Sequence, residues 1–238
     1  MSGSSPAPIL RLPLGFVNAW LARTDGGGFV LVDTGTPGDW ARLTAGLAAA
    51  GCTKETLRLV VITHGDFDHV GCAKRLRSEW GVPVAAHRGD LGLMARGESP
   101  ARRGATPLLR LLMRLLPQRK ADPDAPGSPL FMPDLLLEEG QRLDAYGWDA
   151  TVLHTPGHTA GGIAILTAQG DLLVGDTARG GARPGVGMLV QDADAYDATL
   201  ARLSALPGAV AVHPGHGNSF PAARLPGRLP DAARPKRN

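Results

Sequence analysis

Cysteine and aromatic residues are scarce in this sequence of 238 residues. The two cysteines, Cys52 and Cys72, are too few for a disulfide scaffold or for a zinc site built from cysteines alone. Aromatic residues make up 5%, which disfavours a stacking platform for single-stranded nucleic acid. No apolar run is long enough to span a membrane, and the first residues lack the pattern of a signal peptide. These absences predict a cytoplasmic globular protein whose thiols are reduced.

Charge is unevenly distributed along the chain. The net charge is +3, but residues 95–120 carry a net +6 and residues 224–238 a net +4, which leaves −7 for the rest. Hydrophobic residues at 43% and charged residues at 20% are ordinary globular values and exclude wholesale disorder. The basic segments predict solvated surfaces first, with an acidic ligand, nucleic acid or a membrane surface as alternatives.

Short apolar strands alternate with helical segments, which indicates the α/β class. We predict a flexible N-terminus over residues 1–8 and a single domain over residues 9–222. The domain is expected to carry a helical, basic, leucine-rich insert at about 88–135, followed by a basic tail rich in proline and arginine over residues 223–238. Within the insert, residues 107–116 predict a short amphipathic helix. That helix could pack on the body, cover a substrate cleft, form a homodimer contact or lie on a membrane surface.

Four potential metal ligands lie within six positions directly after an apolar strand predicted over residues 57–62. They are His64, Asp66, Asp68 and His69. A loop at a strand end can turn several side chains toward one point, and two imidazoles with two carboxylates suit a divalent cation. Taken alone, the segment is also compatible with an ordinary polar turn.

Three further segments place a histidine or aspartate beside glycine after a predicted strand. They contain His158 in Thr-Pro-Gly-His, Asp176 in Gly-Asp-Thr and His216 in Pro-Gly-His-Gly. Glycine lets the backbone approach a metal closely. Four such segments in α/β order favour one shared metal site over chance.

From Asp33 to His216 these motifs resemble the metallo-β-lactamase superfamily, and its glyoxalase II-like group in particular. The resemblance implies an αββα sandwich of two mixed β-sheets flanked by helices. It also implies two divalent metal ions with a shared water or hydroxide. The implied ligands are His64, Asp66 and His158 for one ion, Asp68, His69 and His216 for the other, and Asp176 between the two. Asp33 would hold the 64–69 loop by hydrogen bonds instead of binding a metal.

Asp66 departs from the family pattern His-x-His-x-Asp-His, in which a second histidine stands at its position. Three carboxylates then face two cations, and with a shared hydroxide the net charge drops from about +1 to about zero. Zinc is the favoured metal, while the oxygen-rich ligand set makes iron or manganese alternatives. Asp66 is interpreted as a ligand, and the competing view is that it points away and leaves one metal position open.

The resemblance implies a hydrolase that uses a metal-bound hydroxide, with Asp68 as the candidate proton acceptor. The favoured small-molecule substrate is a thioester, ester or lactone with an acyl chain that would suit the leucine-rich insert. A phosphodiesterase or nuclease of the same fold and a metal-binding protein without turnover are the alternatives, although the insert lacks the composition of a nucleic-acid arm. The glyoxalase II-like resemblance implies a C-terminal helical extension that binds glutathione, whereas the 22 residues after His216 are rich in proline and arginine, so a glutathione thioester is only weakly supported as the substrate.

Three other histidines lie outside these motifs. His87, His154 and His213 are expected to be hydrogen-bonded structural residues and not metal ligands.

Overall fold

The computed structural model describes residues 9–96, 103–104, 106, 108–109, 111–112 and 130–231. The strands are β1 (Leu10–Leu14), β2 (Val17–Arg23), β3 (Phe29–Val32), β4 (Leu57–Val61), β5 (Val84–His87), β6 (Arg103–Gly104), β7 (Leu135–Leu137), β8 (Ala150–His154), β9 (Ile163–Thr167), β10 (Asp171–Arg179), β11 (Gly185–Val186), β12 (Leu189–Val190), β13 (Ala211–His216) and β14 (Phe220–Pro221). The helices are α1 (Trp40–Ala49), α2 (Phe67–Val70), α3 (Ala73–Trp80), α4 (Leu91–Arg96) and α5 (Ala193–Ser204).

The strands form two larger mixed sheets and one small ribbon. The first sheet has the order β1-β2-β3-β4-β5-β7, antiparallel up to β3 and parallel from there on. The second has the order β14-β13-β10-β9-β8, in which only the β10–β13 pairing is parallel, and β11 is attached to β10. The ribbon pairs β6 with β12.

Alternating side chains of the central strands supply two different apolar layers. In β3, Phe29 and Leu31 pack toward helices α1 and α3, whereas Val30 and Val32 pack between the two sheets. A strand buried on both faces shows a continuous apolar run instead of an alternating one, and the sequence of β3 is such a run. The outer face of the second sheet packs against α5 through a third cluster that includes Leu203.

This arrangement is a sandwich of two mixed sheets flanked by helices, so the predicted fold class is confirmed. Both sheets have apolar side chains on their two faces. The inner faces pack against each other, and the outer faces are covered by helices because an apolar sheet face must be buried against another element.

Parts of the predicted insert and tail belong to the packed body. Met94 in α4 is fully buried, and β7 extends the first sheet. Beyond residue 222, Leu229 is fully buried and its amide donates to Asp197 Oδ1 at 2.6 Å. The chain therefore continues to pack against α5 up to Leu229, past the predicted domain boundary.

Several predicted segments lie outside the described residues, namely 1–8, most of the amphipathic helix over 107–116, and 232–238. Of that helix, residues 108–109 and 111–112 are helical, and Leu108, Leu111 and Leu112 are exposed. These three leucine side chains are therefore not part of a buried core.

Within the described part of the chain, every helix is too short or too polar to cross a membrane. Both cysteines are free and buried. Burial raises the thiol pKa of Cys52 to about 11 and that of Cys72 to about 12, so both thiols are protonated at neutral pH.

Candidate metal centre

The carboxyl ends of parallel strands bring the predicted site residues to one edge of the sandwich. Asp33 directly follows β3 and His64 lies three residues past β4, which is parallel to β3. His216 is the last residue of β13, which is parallel to β10, the strand that contains Asp176. Ligand sites of α/β sheets form at such strand ends, because the loops there converge.

The strand that carries Asp176 is longer than the sequence predicts. The apolar run predicts a strand over residues 172–174 followed by a loop, but β10 continues through Asp176 to Arg179. Gly175 has a φ of +49°, and the pairing with β13 shifts register on both sides of it. The strand bends at this glycine and then resumes, which turns the Asp176 carboxylate toward the histidines.

The seven predicted ligands lie together as two groups that share a carboxylate. In the first group, Asp66 Oδ2 lies 3.4 Å from His64 Nε2 and 3.1 Å from His158 Nε2. In the second, His216 Nε2 lies 3.4 Å from Asp68 Oδ2, and His69 Nε2 lies 3.9 Å from the same atom.

Asp176 stands between the two groups. Its Oδ1 lies 3.3 Å from Nε2 of both His69 and His216, whereas its Oδ2 lies 3.8 Å from His158 Nε2. One carboxylate thus presents one oxygen to each group, which is the arrangement that a bridging ligand requires.

Asp66 points into the cluster although its backbone position would allow another role. It is the residue that precedes α2, a position at which an aspartate commonly accepts hydrogen bonds from the first helical amides. Its side chain makes no such bond and faces His64 and His158 instead. The geometry places Asp66 where the ligand interpretation needs it.

Each of the four histidines of the cluster donates from Nδ1 to an oxygen outside it. The acceptors are Thr63 Oγ1 for His64 at 3.0 Å, Asp33 Oδ2 for His69, Leu189 O for His158 and Phe16 O for His216, the last three at 2.8 Å. A carbonyl or carboxylate oxygen can only accept, so Nδ1 carries the hydrogen. When these imidazoles are neutral, Nε2 therefore carries no hydrogen and faces the cluster, as metal ligation requires.

Asp33 holds the loop from Thr63 to His69 together. Its carboxylate is 1% exposed and accepts three hydrogen bonds of 2.8 Å, from the amide and the hydroxyl of Thr63 and from His69 Nδ1. It has a φ of +61°, and it is the one described non-glycine residue with a positive φ. Such a backbone conformation is unfavourable and persists only where the surroundings impose it.

Asp90 is a second buried carboxylate with a similar task, and the sequence analysis missed it. Its Oδ2 accepts from the amide of Gly65 at 2.8 Å, and its Oδ1 from the amide of Gly161 at 2.7 Å. It therefore joins the loop that carries His64 to the loop that carries His158. The available signal was an aspartate at the start of the helical segment after β5, a pattern too common to single out.

Close backbone approach explains the glycine before His216. A Cβ at Gly215 would lie 2.5 Å from His69 Cε1 and 2.7 Å from Asp176 Oδ1. No side chain fits there without moving two members of the cluster.

The cluster is electrostatically suited to cations. Burial alone would raise the pKa of Asp176, but the charge of His69 and the contact with His216 outweigh burial, and the pKa lies well below its ordinary value. Burial alone would likewise lower the pKa of His216, yet the carboxylates of Asp176 and Asp68 raise it to about 10. Asp33 and Asp176 hold the pKa of His69 well above its ordinary value in spite of complete burial. Positive charge is therefore favoured here, and without a metal it is supplied by protons.

Three buried atoms of the cluster have no hydrogen-bond partner: His64 Nε2, His69 Nε2 and Asp176 Oδ1. A buried polar atom without a partner costs about 1–3 kcal/mol, so native structures rarely leave one unused. Three sets of three residues have their ligand atoms within 4.8 Å of one another: His64, His69 and Asp176; His64, Asp66 and His158; and Asp68, His69 and His216. The residues present fit a pair of divalent metal ions, and their assignment as ligands stays a prediction.

The other histidines lie outside these sets. His87 stacks on His154 with ring centroids 4.0 Å apart, and its Nδ1 accepts from the amide of Gly89. His213 bonds to Asp171 Oδ1 at 2.8 Å and to Ser219 Oγ at 2.9 Å. An aromatic side chain that the sequence analysis missed, Phe16, stacks on His216 and is largely exposed at the cavity that borders Asp176.

Fold and cluster together define an αββα protein with a candidate two-metal centre at the edge of its sheets. The family model of the metallo-beta-lactamase superfamily matches residues 12–216. The chain belongs to the metallo-beta-lactamase superfamily, so the resemblance found in the sequence is confirmed.

The chain is also similar to individual known proteins. It is 30% identical over 156 residues to the probable metallo-hydrolase YflN of Bacillus subtilis, covering 61% of this chain and 53% of that protein. It is 30% identical over 182 residues to a hydroxyacylglutathione hydrolase of Ectopseudomonas mendocina, covering 76% of this chain and 54% of that protein. The crystal structure of TTHA1623 in a di-iron-bound form has 30% identity and a TM-score of 0.64, and covers 95% of this chain and 99% of that one. The chain spans about half the length of the two curated relatives.

We expect the substitution Asp33→Asn to weaken metal binding about 10- to 100-fold, as is usual when the partner of a ligating histidine is lost. An amide has one accepting oxygen for three donors, and its NH₂ group would favour the His69 tautomer that carries hydrogen on Nε2. Competition with a chromophoric chelator measures the affinity. Asp171→Asn is the matched control, because Asp171 holds His213 at the same distance of 2.8 Å outside the cluster. Equal losses in both variants would contradict the role of Asp33.

Zinc binding to the metal-free protein at pH 7 is expected to release about one to two protons per chain. With a pKa of about 10, His216 carries a proton on both nitrogens at pH 7, and the pKa of His69 is also raised by its carboxylate neighbours in spite of burial. Ligation needs Nε2 without its proton, so zinc affinity rises as the pH is raised toward 10. Calorimetry in buffers of different ionisation enthalpy counts the protons. His213→Gln should leave the count unchanged, whereas a binding heat that is the same in all buffers would rule the prediction out.

Proposed function

We propose that this chain is a metal-dependent hydrolase that cleaves an acyl bond, in a thioester first of all and otherwise in an ester or lactone. The observation that carries the proposal is the Asp176 carboxylate, which presents its two oxygens to two separate groups of histidine and aspartate. A residue in this position serves two metal ions at once. The Asp176 carboxylate is buried among four histidines. A buried carboxylate is costly unless it is paired, so stabilisation of the fold does not explain its position as well as metal binding does.

The residues have distinct tasks in the proposed reaction. His64, Asp66 and His158 would hold one ion, and Asp68, His69 and His216 would hold the other. Two divalent ions held this way supply a water of lowered pKa and a Lewis acid for the substrate's carbonyl oxygen. The Asp68 carboxylate accepts the proton of the attacking water and delivers it to the leaving group, because it lies beside His69 and His216 and retains some exposure. Burial would raise the pKa of Asp68, but His216 and His69 lower it overall, so the group is ionised at neutral pH.

The relatives support the acyl bond as the target. Two of the matched proteins are named for hydrolysis, and one of them acts on hydroxyacylglutathione, an acyl thioester. TTHA1623, matched along almost its whole length, has a di-iron-bound form. That likeness supports two metals and favours iron alongside zinc and manganese for a cluster with three carboxylates.

The reaction class is tested by a substrate panel on protein reconstituted separately with zinc, manganese and iron. We expect turnover of acyl thioesters and, in the same preparation, a loss of more than about 100-fold in kcat/KM for Asp176→Asn, because a direct ligand matters more than its supporting residues. His87→Ala is the control, since His87 stacks on His154 away from the cluster.

The alternatives are outcomes of the same panel. Hydrolysis of bis(p-nitrophenyl) phosphate without thioester turnover would replace the proposal with a phosphodiesterase. Metal uptake without turnover of any thioester, ester, lactone, phosphodiester or β-lactam would indicate a metal-binding protein.

Asp66 is tested by counting metals per chain in the wild type and in two variants. We expect Asp66→Ala to lose one metal on reconstitution, because His64, His158 and the shared Asp176 hold it weakly without a fourth ligand. Asp66→His should keep two metals and shift the preference from manganese toward zinc, since imidazole suits zinc better than carboxylate does. The added positive charge should also move the rise of rate with pH to lower pH. An unchanged metal count and an unchanged pH profile in both variants would show that Asp66 is not a ligand.

A further inference from the structure

A large apolar cavity lies next to the candidate metal centre. Its volume is about 620 Å³, within the range of small-molecule sites. Its walls come from β11, the segment after it, the described part of the insert and the segment before Asp231. The apolar wall residues include Leu108, Leu112, Val186, Met188 and Leu229.

This cavity shares part of its wall with the one that borders the metal cluster. A smaller cavity of about 270 Å³ is lined by Phe16, Asp176 and His216. Arg179, Gly187 and Met188 belong to the walls of both cavities. A substrate whose reacting group lies at Asp176 and His216 can therefore extend past Met188 into the larger space.

Two arginines give the otherwise apolar walls a positive charge. Arg179 stands at the junction, with its guanidinium against the backbone of Gly185, and Arg228 lies in the wall of the larger cavity. In the part of the chain that the structure describes, no carboxylate forms an ion pair with either residue. A guanidinium at the edge of an apolar cavity is well suited to recognise a carboxylate or another anion.

The insert is tied to this region by its backbone. Strand β6 of the insert pairs with β12, and the carbonyl of Leu189 in β12 accepts the hydrogen bond from His158. Three leucines that line the cavity, Leu108, Leu109 and Leu112, follow this anchored strand closely in sequence.

We propose that the substrate is an anionic amphiphile: its acyl chain occupies the larger cavity, and Arg179 contacts an anionic group carried close to the scissile carbonyl. This inference rests on the proposed function and adds the substrate class to it. The wall that the two cavities share supports the position of the acyl chain, and the presence of Arg179 in that shared wall supports the anion.

The test uses non-hydrolysable thioethers, so that binding is measured without turnover. S-Decyl-3-mercaptopropionate, its S-ethyl analogue and the neutral amide of the decyl compound are titrated calorimetrically into the zinc-reconstituted protein. We expect the decyl acid to bind at least about 10-fold more tightly than the ethyl acid, because eight further methylenes are buried. The decyl acid should also bind more tightly than its amide.

Two variants separate the chain from the charge. Met188→Trp should remove most of the advantage of the decyl chain, whereas Met132→Trp, at an equally exposed methionine (53% in both), should leave it unchanged. Arg179→Gln should weaken the acid about 10-fold and leave the amide unaffected, as expected when a charged hydrogen bond is lost. Arg58→Gln is the control for the loss of a positive charge elsewhere. Met188 is exposed, so a tryptophan there does not disturb the core, and circular dichroism verifies folding.

The outcomes distinguish the two proposals. Binding as expected without thioester turnover would keep the cavity assignment and reject the proposed reaction. Thioester turnover with no dependence on chain length, and no effect of Met188→Trp, would reject the cavity assignment alone. An unchanged affinity of the acid in Arg179→Gln would show that its carboxylate binds elsewhere. A dimer in solution that Met188→Trp dissociates would assign the cavity to a second copy of the chain.

Discussion

The Asp33 carboxylate is the interaction on which the site depends. It is buried, it sits on an unfavourable backbone conformation, and three hydrogen bonds keep it there. Through Thr63 it orients His64, and directly it orients His69, so one side chain sets the tautomers of a histidine in each metal group. The apolar layers on both sides of β3 hold the strand that delivers Asp33, and hence the packing of the sandwich and the chemistry of the cluster are coupled.

A second constraint is the balance of charge at the strand ends. Three carboxylates and four imidazoles share a small, largely buried volume, in which the pKa values of Asp68 and Asp176 are lowered and those of His69 and His216 are raised. Such a cluster is stable only with added positive charge, whether from protons or from metal ions. Asp66 adds a negative charge at a place where the family pattern has a neutral ligand. In the proposed role of ligand, it would favour cations that prefer oxygen.

Supporting residues from distant parts of the chain give the cluster its shape. Asp90 joins two loops that are separated by more than ninety residues in sequence, and the Tyr196 hydroxyl in α5 donates to the carbonyl oxygen of Asp176 at 2.9 Å. The apolar cavity beside the cluster arises in the same way, from β11, the insert and the segment before Asp231. Substrate selection in such a scaffold is the work of segments outside the ligand motifs, which is why one fold serves many reactions.

The sequence by itself determined the fold class, the family and the residues that meet at the cluster, because apolar strands, glycine-rich loops and histidine–aspartate motifs are local patterns. It did not reveal that β10 continues through Asp176, since the bend at Gly175 becomes visible only against β13. Nor did it reveal Asp90, the orientation of Asp66 or the cavity at Arg179. Each of these depends on contacts between residues far apart in sequence, and a burial pattern or a spacing rule contains no information on which distant backbone amide a carboxylate will meet. Only the packing of the two sheets decides that.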